Sequence, residues 1–284
     1  MGIYEKAMPD NLSIQEKLRL SKETGFDYLE ISIDETDEKL ARLDYTKQEL
    51  LKIKHAMEAE SFHIKTMCLS AHRRYPLGSH EKSKRDKSIE IMGKALEFSG
   101  ELGIRIIQLA GYDVYYEKSD EKSKEFFLEN LRKVTDMAAS YGIVLGFETM
   151  ETEFMNTISK SMFYVKYINS PYLGIYPDIG NLKNACVLYN IDITKEINAG
   201  RGHIFAAHLK ETAPGIFRNM DFGTGHTEYT TCIEKLLEQG VRMFTGEFWH
   251  QGEKNYREII KNANEFLWNK VNEAMQRAKI TIHN

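Results

Sequence analysis

Eight times between Gly2 and Glu247, a short run of apolar, often β-branched residues is followed by a longer amphipathic stretch. That alternation constrains the fold more than any other feature. Strand–helix–strand connections give parallel pairing, and parallel sheets bury both faces under helices. Strands are predicted near Gly2–Lys6, Tyr28–Ile33, Ile64–Leu69, Ile104–Leu109, Ile143–Glu148, Leu173–Asp178, His203–Leu209 and Met243–Glu247. Eight such α/β units close most simply into a (β/α)8 TIM barrel, a fold that commonly occupies about 250 residues.

The intervening segments carry helix punctuation. Ser13-Ile-Gln-Glu16 and Thr46-Lys-Gln-Glu49 read as capping boxes, and Gly25, Gly142 and Gly240 stand where helices should stop. Three apolar stripes at helical spacing are expected to face the strands: Leu50, Ile53 and Met57; Phe127, Leu131, Val134 and Ala138; and Ile259, Ala263 and Phe266. No Pro/Gly/Ser-rich linker interrupts the pattern, so residues 1–284 read as one barrel domain. The connections Asp34–Asp44 and Leu69–Lys82 exceed simple turns and fall on the face where a barrel carries its chemistry.

Composition narrows the function classes. With 42% hydrophobic and 28% charged residues, the chain can bury a large core and is not of a disordered type. A net charge of −4, with both signs mixed along the chain, offers no basic field for nucleic acid. Cys68, Cys186 and Cys232 are odd in number and lack C-x-x-C spacing, which argues against a disulfide framework and fits a reducing cytosol. Neither a signal peptide nor a run of about 18 apolar residues is found, so no membrane association is expected.

In a barrel, the C-terminal ends of the strands converge on one mouth. Glu148 ends the fifth predicted strand, Asp178 the sixth and Glu247 the eighth, while His208 closes the seventh. Three carboxylates crowded into a partly dry site resist ionising together unless a cation joins them. One divalent metal resolves the conflict, and a donor set of several oxygens and one nitrogen suits Mn²⁺, Mg²⁺, Co²⁺ or Zn²⁺. Any one of these acids alone could be a helix cap or a surface ion pair; four groups in register on successive strands point to a site.

The segments Gly2–Ala7, Ile31–Asp37, Met67–Arg74, Gln108–Tyr116, Tyr176–Asn181 and Gly202–His208 carry a resemblance that extends over nearly the whole chain. The sequence resembles the L-ribulose-5-phosphate and L-xylulose-5-phosphate 3-epimerases, within the xylose-isomerase-like barrels. The resemblance implies that Glu148, Asp178, His208 and Glu247 hold the metal, and that Glu148 and Glu247 stand on opposite faces of the sugar. Chemistry asks for the same arrangement, because inverting a carbon next to a ketone requires removing a proton from one face and returning one to the other. The intermediate is a cis-enediolate whose charge a metal can stabilise.

A phosphorylated substrate needs an anion site, for which Arg73, Arg74, Lys160 and the Gly223-Thr-Gly225 turn are the candidates, each weighed against an ordinary surface role. His72 is a candidate for a sugar hydroxyl, for support of the metal site, or for a structural bond; Gln108 and Asn181 have amides suited to hydroxyls. His203 reads as structural, Phe248 and Trp249 as walls of the pocket, and Lys210 lies near the mouth without an assigned role. The expected partner is a small sugar phosphate, with a homodimer as the compatible assembly. Competing functions are a free-ketose 3-epimerase or aldose–ketose isomerase, a metal-dependent DNA-repair endonuclease, and a non-catalytic sugar-phosphate binder. The endonuclease would need more histidines and a basic groove, and paired glutamates on a metal would be out of place in a binder.

Overall fold

The computed structural model describes residues 1–279. Its strands are Gly2–Tyr4 (β1), Tyr28–Ile33 (β2), His63–Leu69 (β3), Ile106–Leu109 (β4), Val144–Phe147 (β5), Leu173–Ile175 (β6), Ala207–Leu209 (β7) and Phe244–Gly246 (β8). They lie in the order β6-β5-β4-β3-β2-β1-β8-β7, parallel throughout. Two bridges, Ile175 to Ile204 and Asp178 to His208, join the ends of that sheet and close the barrel. The seventh strand is shorter than predicted because Ile204 and Phe205 touch only Ile175 across this seam. Glu148 and Glu247 are the first residues past β5 and β8, and Asp178 sits three residues past β6.

The helices are Ile14–Glu23 (α1), Asp37–Ala41 (α2), Lys47–Glu60 (α3), Lys82–Leu102 (α4), Glu121–Tyr141 (α5), Ile158–Ile168 (α6), Ile179–Tyr189 (α7), Ile193–Ala199 (α8), Tyr229–Glu238 (α9) and Tyr256–Ala278 (α10). Both predicted capping boxes form at α1 and α3. The stripes on α3 and α5 are buried against the strands. The stripe on α10 differs: Ile260, Ala263, Leu267, Val271 and Ala274 face the core, while Ile259 and Phe266 are only half-buried. The sequence carries two apolar lines one residue apart, Ile259/Phe266 and Ile260/Leu267. The first is claimed by Phe222, whose ring stacks on Phe266 at 5.8 Å.

The Asp34–Asp44 connection is ordered from below. Glu5, just past β1, is fully buried and accepts hydrogen bonds from Lys17 (2.9 Å), Lys39 (2.8 Å), Arg42 (2.7 and 2.8 Å) and the Ser32 amide (2.9 Å). Against the upward push of burial, Arg42 and the two lysines hold its carboxyl far below the usual range. Lys39 lies on α2 and Arg42 in the turn after it, so one buried carboxylate ties this connection to β1 and β2.

The barrel interior is polar along one line. The Tyr28 hydroxyl meets Thr245 Oγ1 at 3.0 Å, Thr245 meets the Tyr176 hydroxyl at 2.8 Å, and Tyr176 donates to Glu30 Oε2 at 2.8 Å, as does Thr66. Glycines make room for these rings: a Cβ on Gly146 would lie 2.8 Å from Tyr176 Cβ. Such groups are tolerated inside because each finds a partner, and the chain leads up to His208. No helix among the described residues is long and apolar enough to cross a membrane, and Cys68, Cys186 and Cys232 are buried and unpaired with one another.

Candidate active site

Glu148, Asp178, His208 and Glu247 come together at the mouth. All four are buried, and one ligand atom from each lies within 4.8 Å of the others. Backbone pairing sets them there: Glu148 N donates to Leu109 O (2.8 Å), Glu247 N to Leu209 O (3.0 Å) and His208 N to Pro177 O (2.9 Å). Asp178 also caps α7, its Oδ1 accepting from the Asn181 amide at 2.6 Å, which leaves Oδ2 for the cluster.

The cluster is crowded with negative charge. Burial, and then the charge of Glu247, push the Glu148 carboxyl up to about 8; burial likewise pushes Asp178 up to about 7. Glu247 goes the other way, because Lys210 and His208 outweigh its burial and hold it low. The Lys210 ammonium lies 3.0 Å from Asp178 Oδ2 and 3.2 Å from Glu247 Oε2. Asp178 Oδ2 nevertheless accepts no well-formed hydrogen bond. Two carboxyls driven toward protonation, with a buried oxygen of one under-used, are what a carboxylate-rich site presents when a cation would complete it. The donor set, three carboxylates and one imidazole, fits a divalent ion.

Glu30 is a member of the site that sequence reasoning passed over. It is fully buried in β2, and its Oε1 accepts a short hydrogen bond from His208 Nε2, while His208 Nδ1 faces Glu247 Oε2 at 3.1 Å and Glu148 Oε1 at 4.0 Å. Without a cation, Glu30 and Glu247 hold the ring's proton affinity up against its burial; with a cation in the cluster, the Glu30 carboxylate on Nε2 would fix the tautomer and leave Nδ1 with its lone pair toward the ion. The available signal was a charge in the middle of Tyr-Leu-Glu-Ile-Ser-Ile, a strand otherwise fit for complete burial.

The candidate substrate residues separate into two groups. Gln108, Asn181 and Arg73 reach the site. Gln108 Nε2 lies 2.9 Å from His208 Nδ1; Asn181 donates to Thr149 O at 2.9 Å with its Oδ1 unpartnered; Arg73 lines the mouth cavity together with Glu148 and Glu247. The others lie elsewhere. His72 is buried against Ser88 O at 3.2 Å, and desolvation pushes its ring down to about 4. Arg74 is at the surface, paired with Asp37 at 2.7 Å. Lys160 Nζ is bonded to Glu153 O, Asn156 Oδ1 and Tyr189 OH. The Gly223–Gly225 turn does gather backbone N–H groups around an anion, but the anion is internal: Glu211 accepts from the amides of Gly223 (2.6 Å), Thr227 (3.1 Å) and Thr212 (3.1 Å). A Cβ on Gly225 would fall 2.1 Å from Thr212 O, which explains the second glycine. His203 is exposed, and its carbonyl accepts from Ile175 N at 2.8 Å across the seam. Trp249 sits edge-on to Tyr4 at 6.1 Å and walls the mouth, as predicted; Phe248 packs with Phe222 at 5.5 Å in the adjoining cavity.

A parallel eight-stranded barrel with this buried acid–histidine cluster defines a class, and residues 18–267 match the family model described as xylose isomerase-like TIM barrel. The chain belongs to that family. Within it, the sequence is 41% identical over 268 residues to the L-ribulose-5-phosphate 3-epimerase UlaE of Salmonella paratyphi A, covering 94% of this chain and 93% of that one. It is 42% identical over 263 residues to the enzyme of the same name from Shigella boydii, covering 92% and 91%. These relatives mark it as an isomerase-class enzyme, an epimerase. Solved structures of the same fold include an L-ribulose 3-epimerase (TM-score 0.76, 16% identity, 100% and 99% coverage) and the D-allulose 3-epimerase of Methylomonas sp. (0.77, 16%, 95% and 96%).

Proposed function

We propose that the chain interconverts ketopentose 5-phosphates by inversion at C3, with L-ribulose 5-phosphate and L-xylulose 5-phosphate as the pair, in a reaction that depends on one divalent metal. The observation that carries this reading is the placement of Glu148 and Glu247. They stand at the ends of β5 and β8, three strands apart around the barrel, and line one small cavity. A ketose lying between them would offer one face of C3 to each. One glutamate takes the C3 proton as general base, and the other, protonated, delivers a proton to the opposite face; in the reverse direction they exchange roles.

Glu148, Asp178, His208 and Glu247 would hold the ion, Mn²⁺, Mg²⁺, Co²⁺ or Zn²⁺. When bound, the ion supplies a Lewis acid against the negative charge that develops on the substrate oxygens. Glu30 holds His208 in the tautomer that presents Nδ1. Lys210, buried beside Asp178 and Glu247, adds a fixed positive charge to the floor of the cavity. Trp249 and Tyr4 keep water from the reacting face.

The test is proton NMR of candidate ketoses and ketose phosphates incubated in D₂O with the purified, metal-loaded enzyme. Deuterium entering at C3 with appearance of the 3-epimer is the expected result. Exchange between C1 and C2 would make it an aldose–ketose isomerase, and equal kcat/KM for phosphorylated and free ketose would remove the phosphate from the reading.

A further inference from the structure

The backbone ladder between β5 and β6 runs regularly as far as Phe147 and Ile175, and Tyr176 N then donates to Phe147 O at 2.8 Å. In a parallel pair the next rung on that side would carry the Asp178 N–H to the carbonyl of Thr149, two residues further along each strand. That rung is not made. The Asp178 N–H donates instead to the Thr149 hydroxyl at 3.0 Å, and the same hydroxyl donates to the Asp178 carbonyl at 2.8 Å. The Thr149 carbonyl, left over, accepts from Asn181 Nδ2 at 2.9 Å. A side chain thus stands in for a backbone rung at the point where regular pairing of β5 and β6 ends.

Thr149 and Asp178 are both fully buried. A hydroxyl has one proton to give and two lone pairs to receive with, and here it gives to and receives from the backbone of a single residue, which fixes Asp178 in rotation as well as in distance. On its other edge Asp178 is tied to the barrel seam, where it bridges His208 and where Pro177 O accepts the His208 N–H at 2.9 Å. Its Oδ1 accepts from the Asn181 amide at 2.6 Å, and its Oδ2 lies toward Lys210. Thr149, Asp178 and Asn181 therefore form one closed set of hydrogen bonds, and Thr149 directly follows Glu148. A shift at its side chain moves two members of the cluster relative to each other: the acid it follows in the chain and the acid whose backbone it holds. Thr135, equally buried in α5, spends its hydroxyl on Leu131 O at 2.8 Å, one turn back in its own helix, and holds nothing in the site.

Resting on the divalent-metal reading above, we propose that the Thr149 hydroxyl is a positioning group for the acid–histidine cluster: it sets where Asp178 stands relative to Glu148, and through that the affinity and ligand geometry offered to the ion. Groups that hold a ligating side chain in place typically contribute on the order of 10- to 100-fold in metal affinity. Valine keeps the outline of threonine and removes the hydroxyl, which leaves the buried Asp178 N–H without its acceptor. The Asp178 carbonyl keeps the Leu182 N–H at 3.0 Å in either case, so the loss falls on the edge that faces Thr149. Serine drops a methyl and keeps the hydroxyl.

The experiment compares wild type, Thr149→Val, Thr149→Ser and, as a buried hydroxyl outside the site, Thr135→Val. It reads thermal unfolding of the metal-free proteins, Co²⁺ affinity by calorimetry where all are folded, and the visible absorption of the Co²⁺-loaded forms, which reports the number and arrangement of ligands. Thr149→Val is expected to lose on the order of 10- to 100-fold in Co²⁺ affinity and to show an altered spectrum. Thr149→Ser should restore the wild-type spectrum and bind within about threefold of wild type, well short of what such a group contributes. Thr135→Val should lower Tm and leave affinity and spectrum unchanged. A Thr149→Val protein with wild-type Co²⁺ affinity and spectrum overturns the proposal however far its Tm falls, and so does a Thr149→Ser protein that binds no better than Thr149→Val. If Thr149→Val does not fold, Thr149→Cys, whose thiol is only a weak donor and acceptor, is judged by the same two criteria. Wild type that binds no Co²⁺ sinks the metal reading and the positioning role with it, whereas the expected pattern in a protein that epimerises no ketose phosphate upholds the role and sinks the epimerase reading alone.

Discussion

Replacing Glu30 by Gln tests whether the barrel interior tunes the proposed metal site. The carboxylate receives Thr66 Oγ1 and Tyr176 OH on one oxygen, each at 2.8 Å, and His208 Nε2 on the other. The amide keeps the shape and removes the charge. Both hydroxyls can turn to accept, and Tyr176 has Thr245 Oγ1 at 2.8 Å as another partner, so the interior stays largely satisfied. A loss of about 1–3 kcal/mol in stability is expected, which for a chain of this size is roughly 2–10 °C in Tm. The larger effect falls on the ion. A carboxylate behind a ligating imidazole typically contributes 10- to 100-fold in metal affinity, or about 1.4–2.8 kcal/mol. Titration of the metal-free protein with Mn²⁺ or Co²⁺ by calorimetry, alongside thermal unfolding of both forms, gives the two numbers separately. A variant that folds and binds metal within twofold of wild type would refute the claim that Glu30 sets the orientation and basicity of His208.

Three further outcomes follow from the same geometry. Glu148→Gln and Glu247→Gln should each fold and lose epimerisation by at least about 10²–10⁴-fold; with separate faces, one variant still washes deuterium into C3 of one epimer and the other only into the opposite epimer, as read by NMR. The buried His72 ring, pushed down to about 4 from an unfolded value near 6.5, stays neutral in the folded protein. Its contribution is complete above the unfolded value and is lost as pH falls from about 6.5 toward 4. Denaturant melts should therefore show wild type losing about 1.4 kcal/mol per pH unit across that window relative to His72→Gln. Glu211→Ala leaves the amides of Thr212, Gly223 and Thr227 without their acceptor and should cost about 1–3 kcal/mol. Hydrogen exchange in residues 210–228, the connection between β7 and α9, should rise first, and unchanged protection there would show that Glu211 does not hold the connection.

The strands and the four-residue cluster were legible because both depend on periodicity. Strands buried on two faces read as apolar runs, and a strand's end fixes where its next side chain points. Glu148 and Glu247 needed no knowledge of distant contacts to be placed. What could not be read were features decided by a partner far along the chain. The α10 stripe was misassigned because Ile259 and Ile260, like Phe266 and Leu267, satisfy the helical period equally, and only Phe222 in a loop distinguishes them. Glu30 was passed over because its partners Thr66, Tyr176 and His208 are drawn from three other strands or their ends.

The candidate anion donors illustrate the same limit most sharply. Arg73, Arg74, Lys160 and the Gly223–Gly225 amides all have the donors that bind phosphate, and a list of donors cannot rank them. Their internal acceptors do. Glu211 stands inside the glycine turn and accepts from three amides at 2.6, 3.1 and 3.1 Å, Lys160 is saturated by two side chains and a carbonyl, and Arg74 lies at the surface beside Asp37. A donor already satisfied by a well-placed carboxylate must break that bond before it can bind a ligand, which cancels much of the gain. Arg73 differs because its nearest acid, Glu35, lies 3.5 Å away, its Nε is buried without a partner, and its guanidinium is already oriented by the Tyr115 ring. Poor satisfaction combined with preorganisation distinguishes a side chain that waits for a ligand from one that has its partner within the fold.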